Sequence, residues 1–110
     1  QNSSFNQNSS VNKSSPVRQI LLTVREYESA TKKVIQIIQG EKVALIIEGK
    51  FDAVFHLHGY DLMAMSEIDN RATISFKAEH SGRFPLVLHI HDSLLGAQET
   101  TIAYVEVRSR

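Results

Sequence analysis

The residues of this 110-residue chain with the most chemistry in them are its five histidines. Four fall in two His-x-His pairs, His56/His58 and His89/His91, each at the end of an apolar run. Residues two apart on a β-strand point to the same face, so each pair offers two imidazoles side by side. Neutral imidazole is a ligand for copper, zinc, nickel and iron. Met63 and Met65 repeat the x-plus-two spacing shortly after the first pair, and thioether sulfur selects Cu(I). If the two histidine-bearing runs end near one another, the donors for a copper site are His56, His58, His89, His91, Met63 and Met65.

Each of these residues also has a plainer reading. His58 can be a satisfied side chain, hydrogen-bonded to a carbonyl, to Asp61 or to Asp92. His89 alternates away from the face of Phe84, Leu86 and Leu88 and reads as exposed. Met63 and Met65 can be core filler or loop contacts. His80, between Glu79 and Ser81, reads as solvated. Tyr60 and Asp61 brace the loop after the first pair, where Asp61 can cap the turn or orient an imidazole.

Composition narrows the chemistry. The chain has no cysteine, which removes disulfides, thiolate zinc sites, iron–sulfur clusters and a cysteine nucleophile. Twelve acidic residues balance twelve basic ones, whereas generic nucleic-acid binding needs an excess of Lys and Arg. No apolar run approaches the ~18 residues of a membrane span. There is no Gly-rich phosphate loop, no G-x-S-x-G elbow and no paired-carboxylate spacing suited to acid–base work. The expectation is a protein that is not an enzyme.

The elements that must position the histidines read as strands. Ile20, Leu22 and Val24 alternate with polar residues, as do Ala72, Ile74 and Phe76; Val43, Leu45 and Ile47 repeat the same period. Further runs occupy 34–38, 54–58, 84–90 and 101–107, with Gly40, Gly49, Gly59 and Gly82 at breaks. Residues 28–38 contain helix formers, but the β-branched pairs Val34-Ile35 and Ile37-Ile38 favour a strand. Strands at eight-to-twelve-residue spacing predict an all-β fold, a Greek-key β-sandwich or barrel of about seven to eight strands.

Ahead of this body lies a different composition. Twelve of the first sixteen residues are Ser, Asn or Gln, too little apolar surface to offset the entropy of ordering them. The expected division is a disordered tether over 1–16 and one folded domain over 17–110. Such a tether suits the mature part of an exported bacterial lipoprotein, with the lipidated Cys just before it; a plain interdomain linker is the alternative. The Asn-x-Ser sequons at Asn2, Asn8 and Asn12 arise readily in such a composition.

The body also resembles a known family. Residues 55–61, Phe-His-Leu-His-Gly-Tyr-Asp, are similar to the "HLHGYD" loop of cupredoxin-like domains. Residues 78–84 resemble those domains' "A-x-x-x-G-x-F/Y" approach to the penultimate strand, and 39–43 resemble their "x-G-D-x-V" turn. The order and spacing agree from about Val17 to Arg108. The resemblance implies a cupredoxin-like sandwich and, in its blue-copper members, a metal held by two His, one Cys and usually a Met. Carried over by position, His56 and His91 match the two His ligands. The Cys position falls on Leu88, and the Met position lies near Leu95 and Gly96, so two of the four ligands are kept. Without a thiolate, blue-copper electron transfer is ruled out.

What remains is copper binding through His56 and His91, assisted by His58, His89, Met63 or Met65. Such a site suits copper storage, delivery or sensing in a periplasmic or extracellular protein, exchanging Cu(I) or Cu(II) with a copper-donor or copper-acceptor protein. Nucleic acid is not expected as a partner, and a membrane only through the lipid anchor. The alternative is a metal-free structural or protein-interaction module on the same fold.

Overall fold

A computed structural model describes residues 16–24, 33–92 and 96–110, with no side-chain placement for His91 and Asp92. The polar stretch 1–15 lies outside the described residues. The described residues form eight strands and no helix. They are β1 (Val17–Thr23), β2 (Lys33–Ile38), β3 (Lys42–Glu48), β4 (Ala53–Leu57), β5 (Leu62–Ser66), β6 (Ala72–Lys77), β7 (Gly82–Asp92) and β8 (Gly96–Arg108).

Seven of these follow the runs expected from the sequence. The eighth, β5, is the segment around Met63 and Met65. Its Leu-Met-Ala-Met-Ser composition lacks the β-branched residues that signal a strand, and it becomes one by pairing with β4. Within 28–38, Lys33–Ile38 is strand as expected, while 28–32 lies outside the described residues.

The strands form two sheets, one of three in the order β1-β3-β6 and one of five in the order β2-β8-β7-β4-β5. Two pairs, β1/β3 and β2/β8, are parallel. The pairs β3/β6, β4/β5, β4/β7 and β7/β8 are antiparallel. The chain passes repeatedly from one sheet to the other, so the strands cannot be a simple meander.

The inner faces hold one core. Phe55 and Leu57 of β4, Leu86 of β7, Val105 of β8 and Ile37 of β2 meet Leu45 and Ile47 of β3, all fully buried. Each such side chain contributes about 1.5–3 kcal/mol by leaving water. The alternation is strict where the site is concerned: Ala53, Phe55 and Leu57 point inward, which turns Val54 and His56 outward.

Candidate metal centre

Strand register decides which donors meet. In the β4/β7 pair, Phe55 lies opposite Leu88 and His56 opposite Val87, while Val54 lies opposite His89. Phe55 and Leu88 are core residues, so His56 and His89 share the outer face of the five-stranded sheet. The ladder continues one residue beyond β4, with the His58 amide donating to the Pro85 carbonyl at 3.0 Å. That bond keeps His58 beside His56, their ring centroids 4.3 Å apart; the His56 and His89 rings are 6.2 Å apart. One ring nitrogen from each of His56, His58 and His89 lies within 4.8 Å of the other two.

Two carboxylates adjoin this trio. His56 Nε2 is 3.3 Å from Asp61 Oδ1, and His89 Nδ1 is 3.2 Å from Glu99 Oε2. A proton shared with a carboxylate at one ring nitrogen fixes the tautomer and leaves the other nitrogen's lone pair free for a metal. The nitrogens without a carboxylate partner are Nδ1 of His56 and Nε2 of His89. The donor set therefore fits a borderline-soft transition metal bound by neutral imidazoles.

The turn that carries His58 and Asp61 is tightly specified. Gly59 has φ +92° and Asp61 φ +55°, left-handed conformations that Gly adopts freely and Asp tolerates. A Cβ on Gly59 would overlap the Phe84 ring. Tyr60 packs against Phe76 and Phe84 at centroid distances of 4.9 and 4.8 Å. Its hydroxyl donates to the His80 carbonyl at 2.7 Å and accepts from the His80 amide at 3.0 Å. The turn is thereby anchored to the start of β7.

Glu99 reaches His89 because of a β-bulge. In the β7/β8 pair, Leu86 lies opposite Ala103 but Val87 opposite Thr101, leaving Ile102 unmatched. Past the bulge Ala103, Val105 and Val107 point into the core. Unbroken alternation would have sent Glu99 and Thr101 inward with them; the extra residue turns Glu99 to the outer face.

The expected site residues are thus partly brought together. His56, His58 and His89 converge, and His89 is a half-buried member of the trio rather than a solvated side chain. Met63 and Met65 are not core filler: they lie on the same outer face, opposite His56 and Val54, with 65% and 67% of their surface exposed. His91 has its backbone in β7 opposite Ala97, and its side chain lies outside the described residues. The resemblance that places a thiolate ligand at the position of Leu88 does not bring that position to His56, because the two face opposite sides of one sheet. His80 is exposed, as expected. Asp61 serves His56 rather than His58, and Glu99 was not singled out by its sequence context, since only the bulge makes it a neighbour of His89.

Solved structures share this architecture. One is the NMR solution structure of a copper binding protein in the apo form, with a TM-score of 0.58 and 10% identity over 88% of this chain and 93% of that one. Another is a chain of a heme-copper terminal oxidase dimer solved by cryo-EM, with a TM-score of 0.52 and 16% identity over 83% of this chain and 65% of that one. No protein-family model matches the sequence, and no curated protein is significantly similar to it. At these identities the likeness concerns the fold, which is cupredoxin-like.

Proposed function

We propose that this domain, of the HLHGYD type, binds one copper ion on the outer face of its five-stranded sheet through His56, His58 and His89, without a thiolate. The observation that carries this reading is the convergence of three imidazole nitrogens within 4.8 Å, two of the rings steadied by carboxylates. The copper-binding neighbour lends support through its fold. The copper is cargo rather than a catalytic centre: the donors lie on an open sheet face, beside a depression lined by His58, Pro85, Val87 and Glu99. Storage, delivery or sensing of copper outside the cytoplasm follows, with exchange to a donor or acceptor protein. The polar tether of the sequence supports the exported location, periplasmic or extracellular.

The test is Cu(II) titration followed by metal analysis and EPR on wild type, His56→Ala and His89→Ala. Wild type is expected to bind one equivalent with nitrogen hyperfine structure and no intense visible charge-transfer band, and both variants to lose it. If wild type takes up no more copper than the variants, the metal reading fails. The metal-free interaction module would then be favoured by the exposed Val17 and Leu21 on β1, which present apolar surface away from the histidines.

A further inference from the structure

Both methionines of the chain are solvent-facing, although methionine is among the residue types most often buried. They stand on β5, an edge strand of the five-stranded sheet. Their placement relative to the histidines is set by register: Met63 lies directly opposite His56, and Met65 opposite Val54, whose other cross-strand neighbour is His89. Directly opposed residues of an antiparallel pair have Cβ atoms about 4.5–5.5 Å apart, well within the reach of a methionine side chain. The outer face thus passes from two thioethers on the edge strand, through three imidazoles at its centre, to the carboxylate of Glu99 on β8.

We infer that Met63, Met65 and His56 form a Cu(I)-selective site adjoining the three-imidazole set, and that the cargo received there is cuprous. The inference rests on the copper reading above and goes beyond it by naming the oxidation state and two ligands that the imidazole trio does not contain. Soft thioethers select Cu(I) over Cu(II), whereas imidazole alone accepts both. His56 belongs to both groups, so Cu(I) can move from sulfur to nitrogen by ligand exchange alone, with no electron transferred and no proton released by the thioethers. The edge position leaves the sulfur atoms open to another protein's donor groups.

The experiment compares Cu(I) and Cu(II) affinities, by competition with chromogenic chelators, for wild type, Met63→Leu, Met65→Leu and the double variant. Leu conserves most of the volume, and both sites are exposed, so circular dichroism and thermal melts should overlay. The expected result is a Cu(I) affinity reduced about tenfold or more, the scale seen when even an outer-sphere partner is removed, with a much smaller loss for Cu(II). X-ray absorption on Cu(I)-loaded selenomethionine protein supplies a reading that needs no variant: copper–selenium scattering is expected. Unchanged Cu(I) affinity in the double variant, or a Cu(I) shell of nitrogen alone, overturns the inference while leaving the imidazole reading intact. If neither oxidation state binds wild type, the copper reading itself has failed.

Discussion

At the scale of single residues, the proposed site depends on what holds one ring nitrogen of His56 and one of His89. Asp61 and Glu99 are largely exposed acids, 96% and 67% by side chain, so neither contributes much to folding as an ion pair. Their effect is on tautomer and ring orientation. Asp61→Asn and Glu99→Gln are therefore expected to leave thermal stability nearly unchanged and to weaken copper binding, toward the lower end of the about 10–100-fold range for such partners. Affinity measured by chelator competition beside a thermal melt checks both halves. A combined loss equal to one single loss, with the other variant unchanged, would show that one carboxylate alone matters.

At the scale of elements, the turn from β4 to β5 is the part on which the site most depends. Its glycine is required twice over, by a left-handed φ of +92° and by the Phe84 ring lying where a Cβ would be. Gly59→Ala is expected to cost about 1–3 kcal/mol in urea unfolding. It should also weaken copper binding, since His58 precedes the glycine and Asp61 follows it by two. A variant as stable and as tight-binding as wild type would show that the turn relaxes without moving either residue. The strands themselves were largely legible: alternation in 20–24, 43–47, 72–76 and 84–90 is the direct consequence of one buried face. β5 was not, because its strand character comes from pairing rather than propensity. The bulge at Ile102 was not legible either, since an extra residue has no signature in a run already rich in β-branched side chains.

At the scale of the whole molecule, the two sheets separate the core from the site. Leu88 is buried between the sheets, whereas His56, His58 and His89 stand on the opposite side of the same sheet. A thiolate introduced by Leu88→Cys would lie across the sheet from the trio. Although the sequence resemblance places the ligand at this position, the variant is expected to give no intense blue band with Cu(II), at a packing cost below the about 3 kcal/mol of a mild Leu→Ala truncation. Visible spectroscopy with copper decides it: a strong charge-transfer band would mean the thiolate and at least one imidazole reach a common metal, and the placement on opposite faces would be wrong.

Residue type and spacing alone specify the all-β class, the strand periodicity that builds the core, the absence of any thiolate and the pool of nitrogen and thioether donors. These are local properties, written in residue type and spacing. Which donors converge is settled by strand pairing across the fold. Whether β4 and β7 are neighbours, and in what register, depends on contacts between residues 29 to 35 positions apart. A shift of one residue in that register would carry His89 from the face of His56 into the core. The same holds for Glu99, turned toward His89 by a single unmatched residue, and for the two methionines, brought to the face of the histidines by an edge strand whose one ladder partner is β4.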